Sequence, residues 1–117
     1  MIEKISPLQP LTPAVFHILM ALADGEKHGY SIMKDVERQT DGRMLLGPGT
    51  LYGSIKRMLL SSYIEETSER PDPAMDDERR RYYRISGLGQ EILRAESQRL
   101  EQAVKIARQK QILTSIS

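Results

Sequence analysis

The stretch GPGTLYGSIKRM, residues 47–58, combines glycines, small polar residues and cations in an order that suits a binding site. Its glycine-proline-glycine opening predicts a helix start whose backbone N–H groups and positive dipole end can meet a phosphate. A nucleotide-binding loop requires the spacing G-x-x-x-x-G-K-[ST], and no lysine follows the glycine here. The stretch therefore indicates a helix that approaches a polyanion, not a nucleotide loop.

This helix divides into two faces when its side chains are placed at about 100° per residue. The apolar face, expected to join the core, consists of Leu51, Tyr52, Ile55, Met58 and Leu59. The other face is small and polar with one long cation, and consists of Thr50, Gly53, Ser54, Arg57 and Ser61. A helix in the DNA major groove needs small residues and a few donors that reach base edges. We predict that Thr50, Ser54 and Arg57 contact base edges; an ordinary solvated face, which usually carries Glu–Lys pairs, is the alternative.

Charge is distributed unevenly, although 17 basic and 16 acidic residues leave a net charge of only +1. No Asp or Glu occurs in residues 42–64 or 79–90, and the second window contains RRRYYR. A polyanion-binding face explains such windows, because local positive potential matters more to DNA than whole-chain charge. A solvated surface is the alternative for any charge run.

Catalytic and metal chemistry find little support. The chain has two histidines and no cysteine, and no Ser/His/Asp or paired-carboxylate spacing falls on one element. The DDE run of residues 76–78 is the sole metal candidate and is more typical of a solvated loop. We expect no enzyme activity, no cofactor and no metal site.

Composition indicates an ordinary globular domain, with 39% hydrophobic and 28% charged residues. There is no 18-residue apolar run, and MIEKISPLQPL lacks the features of a signal peptide. We expect a cytoplasmic protein with no membrane partner.

Periodicity predicts helices over Thr12–Ala23, Tyr30–Gln39, Gly49–Ser61 and Leu88 to about Ile112. DGEKHG, residues 24–29, is interpreted as a turn. YIEETSE and RRRYYRIS predict two strands of a hairpin, joined by a polar connector over residues 70–78. Helix-turn-helix followed by a two-stranded wing is an arrangement that places its second helix in the major groove. The expected fold class is therefore mostly α with a small β-hairpin, a winged helix-turn-helix plus a long C-terminal helix.

The last helix carries an apolar stripe that a small core cannot cover completely, so a partner helix is expected to pack on it. The stripe consists of Ile92, Leu93, Leu100, Ala103, Val104 and Ala107. Phe16 and Met20 form a second stripe on the first helix and are assigned to the same dimer interface. Packing of the stripe onto its own domain is the alternative. The predicted division is a DNA-binding domain over residues 1–86 and a dimerisation helix over 87–117.

HGYSI, GPGTLYGSIKRM and RRRYYRISGLG, in this order and spacing, resemble the signature stretches of the PadR family of transcriptional regulators. The resemblance covers about residues 11–110 and implies a dimeric winged-helix repressor whose single C-terminal helix packs against the partner subunit. Drug-like ligands held between tryptophans in some family members cannot be carried over, because this chain has no Trp.

The resemblance also implies roles for particular residues. Tyr30 matches a tyrosine that contacts the DNA backbone, and Thr50, Leu51 and Tyr52 match the start of the recognition helix. For Leu51 and Tyr52, packing is the alternative to contact. Lys56 and Arg57 match a basic pair. The expected phosphate contacts of the wing come from Arg70, Arg79, Arg80 and Arg81. His28, at a helix start, is either a phosphate ligand or a turn residue.

The prediction is a homodimeric repressor that binds double-stranded DNA at a pseudo-palindromic operator, with a small-molecule effector as a candidate further partner. A winged-helix module for protein–protein assembly, without specific DNA binding, is the alternative. The two hypotheses differ in one observable, a DNA affinity that falls with salt.

Overall fold

The computed structural model describes residues 11–72 and 75–114, with the backbone alone for residues 69–72 and 75–79. Its helices are α1 (Pro13–Leu22), α2 (Gly29–Gln39), α3 (Pro48–Leu60) and α4 (Gly87–Gln109). The strands β1 (Lys27–His28), β2 (Ile64–Asp72) and β3 (Met75–Ile85) form an antiparallel sheet in the order β1-β3-β2. The predicted fold class is confirmed: mostly α, with a winged-helix arrangement and a long C-terminal helix.

One core holds these elements together. Its fully buried side chains come from α1, α2, α3 and β2, while β3 contributes Tyr83 and α4 contributes Ile92 and Leu93. Helix α1 begins at a side-chain cap, because the Thr12 hydroxyl oxygen accepts a hydrogen bond from the Val15 N–H at 3.2 Å and Pro13 opens the helix.

Two predictions about the strands are wrong. Lys27 and His28, placed in a turn by the sequence, form β1, which pairs with Tyr83 and Tyr82 of β3. This pairing uses backbone groups of β3 that would otherwise lie at a sheet edge. The connector over residues 70–78 is also shorter than expected, since β2 continues to Asp72 and β3 begins at Met75. Pro71 is tolerated there because β2 is an edge strand.

Lys27 anchors β1 to the helices on either side of it. Its ammonium group donates to the Ala21 carbonyl oxygen at 2.7 Å, at the C-terminal end of α1, and lies 2.5 Å from the Asp24 carboxylate. The Asp35 carboxylate of α2 lies 3.4 Å away. A cation at a helix C-terminus is favourable for the helix dipole, so this side chain stabilises α1 and places β1 at once.

The junction between β3 and α4 is tightly packed. Ser86 caps α4, because its hydroxyl oxygen accepts from the Gly89 N–H at 2.9 Å and donates to the Ser62 carbonyl oxygen at 2.6 Å. A Cβ at Gly89 would overlap the carbonyl oxygen of Tyr63. Glycine is therefore required for α4 to start this close to the base of the wing.

Glu96 of α4 is a buried carboxylate, only 3% exposed, that joins α4 to Leu11, two residues before the start of α1. The Arg99 guanidinium donates to both of its oxygens, at 3.0 and 2.6 Å, and the backbone N–H of Leu11 donates to it as well. The hydrogen bonds from Arg99 lower the pKa of Glu96, against the opposing effect of burial.

Glu96→Gln should lower the free energy of unfolding at pH 7 by about 1–3 kcal/mol, since it weakens hydrogen bonds to a charged, buried acceptor. The folded-state pKa of Glu96 lies below the unfolded one, so the contribution is complete above the unfolded value of about 4.3 and is lost as pH falls from there through the folded-state pKa. Urea unfolding at one protein concentration, from pH 7 down to pH 3, would measure both effects.

The matched control is Glu91→Gln, at an exposed position of the same helix. Between pH 7 and pH 3, the free energy of unfolding should decrease less in Glu96→Gln than in either the wild type or this control. Identical pH profiles for the two variants would contradict the role of Glu96.

Candidate nucleic-acid interface

Helix α3 presents its start to solvent. Gly47 is its N-cap and makes no side-chain capping bond, and Pro48 follows as the first helical residue. The N–H groups of Gly49 and Thr50 therefore have no side-chain acceptor in this cap, and both residues are exposed. This geometry places free donors and the positive end of the helix dipole at the surface, as an anion requires.

The buried face of α3 is rotated relative to the sequence prediction. The residues that it buries are Leu51, Ser54, Ile55 and Met58. Ser54, predicted on the outer face, is fully buried, which excludes it as a base contact. Tyr52, predicted on the core face, is 51% exposed. On the helical wheel Ser54 lies about 60° from Leu51 and Tyr52 about 100° away, so the core arc extends toward Ser54.

Arg57 is held by the residues one turn before it. Its Nη2 donates to the Ser54 hydroxyl oxygen at 3.2 Å, and its Nη1 would lie 3.7 Å from a Cβ at Gly53. Long helical side chains point back toward the N-terminus, so the guanidinium lies over the preceding turn of α3, beside Gly53. Although buried, Ser54 orients the exposed Arg57 side chain by accepting its hydrogen bond. Gly53 has no side chain, so the surface beside the guanidinium is open.

Tyr52 connects α3 to α2. Its phenol ring lies against the backbone of Gly29, where any Cβ would overlap the ring and its hydroxyl group. Tyr30, the next residue of α2, is 52% exposed. The Tyr30 ring has Lys34 at 5.7 Å and the Arg80 guanidinium at 5.9 Å from its centroid, both within range of a cation–π interaction.

His28 lies between α2 and the wing. As the N-cap of α2, its Nδ1 accepts from the Ser31 N–H at 3.2 Å. Its ring packs edge-to-face on Tyr82, with centroids 5.3 Å apart. Nη1 of Arg80 lies 3.0 Å from Nδ1 and 2.6 Å from Nε2 of the same ring. His28 therefore links β3 to α2, a role that differs from both the phosphate ligand and the turn residue expected from the sequence.

These contacts define one surface, called here the basic face, which runs from α3 across α2 to β3. It consists of Thr50, Tyr52, Gly53, Lys56, Arg57, Tyr30, Lys34 and Arg80. Arg81 is exposed on β3. The side chains of Arg70, Arg79 and residues 76–78 lie outside what the structure describes. Lys34 was not among the predicted contacts, whereas His28 had been considered as a phosphate ligand.

The predicted dimer residues separate into two groups. Ile92 and Leu93 are wrong as interface residues, because the Gly89 junction lays the first turns of α4 on its own core and buries both. The later turns do expose their stripe, with Leu100 and Val104 each 38% exposed and Ala103 also exposed. Met20 is 36% exposed, while Phe16 and Ala107 are half-buried. Ile106, at 40% exposure, was not predicted.

Neither a metal site nor a membrane-spanning helix occurs within residues 11–72 and 75–114. No group of three or more His, Cys, Asp or Glu side chains there could hold a metal ion. Likewise, none of the helices in residues 11–72 and 75–114 is both long and apolar enough to cross a bilayer.

Comparison with known proteins identifies the family and the fold. The family model described as the transcriptional regulator PadR-like family matches residues 18–95, which is more than half of the chain. An uncharacterized 37.1 kDa protein in a transposon of Streptomyces fradiae is 35% identical over 80 residues, or 68% of this chain. The chain spans only 21% of that relative's length.

Solved structures share the architecture. A transcriptional regulator from Clostridium thermocellum is 26% identical, with 82% of this chain and 87% of that chain covered and a TM-score of 0.66. A PadR family transcription regulator from Clostridium difficile is 23% identical, with 84% and 97% covered and a TM-score of 0.68. Bacillus subtilis PadR in complex with operator DNA is 17% identical, with 74% and 46% covered and a TM-score of 0.62. The last two likenesses concern the fold.

Gly53→Ala should raise the free energy of unfolding by about 0.5–1 kcal/mol, because alanine is the better helix former. Apart from the Arg57 guanidinium at 3.7 Å, nothing lies within 4 Å of the added methyl group. The same methyl group should weaken DNA binding, since it protrudes from the basic face beside Arg57. Thermal unfolding and fluorescence anisotropy with duplex DNA would measure the two effects.

Gly87→Ala is the matched control, because it adds a methyl group in open space at the start of α4. It should leave DNA affinity unchanged. Unaltered DNA binding by Gly53→Ala would show that this face does not approach DNA closely.

Proposed function

The chain belongs to the PadR-like family of transcriptional regulators, and from this premise we propose that it is a homodimeric repressor that binds double-stranded operator DNA. The observation that carries the proposal is the basic face. There, α3 presents its exposed start and the Arg57 guanidinium. The contact of Tyr52 with Gly29 joins α3 to α2, whose Tyr30 lies beside Arg80 of the wing. Bacillus subtilis PadR, which shares this fold, has been solved with operator DNA, and DNA binding is transferred from it as part of the proposal.

In this proposal α3 enters the major groove. Arg57 suits bidentate recognition of guanine, because its planar guanidinium presents parallel donors and Ser54 limits its orientation. Thr50, exposed in the first turn, is the second candidate for a base edge. Both residues would carry sequence information, whereas contacts to phosphates would fix the register.

The phosphate contacts would come from the rest of the basic face. Tyr30 of α2 and Lys56 of α3 are exposed, and the phenol hydroxyl of Tyr52 lies beside Gly29, the residue before Tyr30. On the wing, Arg80 and Arg81 are the candidates, together with Arg70 and Arg79. Each cation that neutralises a phosphate releases counterions, which makes affinity depend on salt.

Dimerisation is proposed through the later turns of α4. These turns expose an apolar stripe that lacks cover in one copy, namely Leu100, Ala103, Val104 and Ile106. A second α4 is the matching partner for a stripe at helical spacing. Residues 87–117 are therefore assigned to assembly only in part, because Ile92 and Leu93 belong to the core of residues 1–86. Half-sites would then lie about 34–36 Å apart.

Repression and its release complete the proposal. A dimer in two successive major grooves would occlude a promoter that it overlaps. A small-molecule effector would act at α4, where a groove of about 730 Å³ follows the later turns. The groove is lined by Gln98, Glu101, Gln102, Val104, Lys105, Arg108 and Gln109. A ligand there would touch the proposed subunit contact at Val104 and could alter the spacing of the two basic faces.

Wild-type protein should bind the DNA upstream of its own gene more tightly than scrambled DNA, and affinity should fall about 10³-fold or more between 50 and 200 mM salt. Arg57→Ala should cost about 1–3 kcal/mol on the preferred site and much less on scrambled DNA, because only the base contact is lost. Fluorescence anisotropy at both salt concentrations would measure these affinities.

Arg94→Ala, at an exposed arginine of α4, is the control and should bind as wild type does. Equal losses on both DNAs for Arg57→Ala would make Arg57 a phosphate contact. Absence of any salt-sensitive DNA affinity in the wild type would refute the proposed function and favour an assembly module.

Leu100→Glu should convert the dimer into a monomer, since a carboxylate would be buried without a partner in the α4 interface. Sedimentation velocity should then report the 13.3 kDa of one chain instead of twice that mass. Gln90→Glu, exposed near the start of α4, adds the same charge and should remain dimeric. A dimeric Leu100→Glu variant would rule out this interface.

A further inference from the structure

Arg80 is the wing residue of the basic face, and its guanidinium belongs to that face because it is held toward α2. Arginine has a long side chain with considerable rotamer freedom, and ordering it when DNA binds reduces affinity. In this structure the Arg80 guanidinium is not at an open position on the strand. It is half-buried, lies within 3.0 Å of two ring nitrogens of His28, and extends to the Tyr30 ring.

His28 is in turn fixed from three directions. Its backbone pairs with Tyr82 in the sheet, its ring packs edge-to-face on the Tyr82 ring, and its Nδ1 receives the Ser31 N–H. A guanidinium can only donate, and Nδ1 is the acceptor nitrogen of the neutral ring because it already accepts from the Ser31 N–H. Nδ1 therefore accepts from Arg80 as well, at 3.0 Å, while the protonated Nε2 donates to the Ser31 hydroxyl oxygen at 3.2 Å. The ring is therefore a rigid acceptor placed between the wing and the first turn of α2.

We propose that His28 is a positioning residue for DNA binding, which holds Arg80 beside Tyr30 so that a single phosphate meets both side chains. The inference rests on the proposed function and extends it, because it assigns a role to a residue that makes no DNA contact itself. The wing and α2 then present one prepared phosphate site instead of two independent contacts, and less ordering is required on binding.

The test separates the capping role of His28 from its contact with Arg80. In His28→Asn the shorter side chain can still accept from the Ser31 N–H, since Asn is among the best N-cap residues, but it cannot reach the guanidinium. Arg80→Gln removes the charge, and the double variant completes a mutant cycle. Anisotropy with the preferred DNA site over a range of salt would give affinities and salt slopes, and urea unfolding would report stability.

His28→Asn should keep wild-type stability yet bind DNA roughly three- to tenfold more weakly, with a salt slope reduced toward that of Arg80→Gln. In the Arg80→Gln background, His28→Asn should have no further effect on affinity. His17→Asn, a histidine change on α1 where the ring lies 3.3 Å from Gln39, should change neither affinity nor slope.

Three results would overturn the inference while the proposed function stands: wild-type affinity in His28→Asn, wild-type affinity in Arg80→Gln, or additive losses in the double variant. A loss of stability in His28→Asn equal to that in His28→Ala, with an unchanged salt slope, would reduce His28 to a helix cap. A wild-type protein with no salt-sensitive DNA affinity would refute the proposed function, and the role of His28 with it.

Discussion

The two-residue strand β1 pairs with β3, and the arrangement of the whole basic face depends on that pairing. It places His28 opposite Tyr82 and Lys27 opposite Tyr83. Tyr83 is buried, and burial is the main reason that its pKa is raised. Lys27 ties the same strand to the end of α1 and to α2. This short pairing therefore joins β3 of the wing to the backbone that leads from α1 into α2.

Much of this fold could be predicted from local sequence signals. Thr12 with Pro13, the apolar periodicity of α1 to α4, and the aromatic-rich run before Ser86 each report on a few neighbouring residues, and the structure confirms them. β1 could not be found in this way. Its two residues resemble a turn by composition, and they form a strand only because β3, more than fifty positions later, offers a backbone edge.

The site was less predictable than the fold, for a related reason. A helical wheel shows which residues share a face, but tertiary packing decides where the buried arc ends. In α3 the arc extends to the small Ser54 and leaves the bulky Tyr52 outside, where its ring covers Gly29 of another helix. In α4 the close approach at Gly89 puts Ile92 and Leu93 inside the core, although their type and spacing continue the exposed stripe. Both outcomes depend on contacts between distant segments.

The tight packing of Gly89 against Tyr63 has a mechanical consequence. From Gly89 to Gln109, α4 extends about 30 Å at 1.5 Å per residue, so a tilt of about 10° at its base would displace its far end by about 5 Å. In a dimer of the kind proposed, the position of that far end would depend on how α4 packs at Gly89. Rigid packing between Gly89 and Tyr63 would limit the range of half-site separations that the two subunits can span. The distance between the half-sites of the operator would then depend on this packing as much as on the residues that touch DNA.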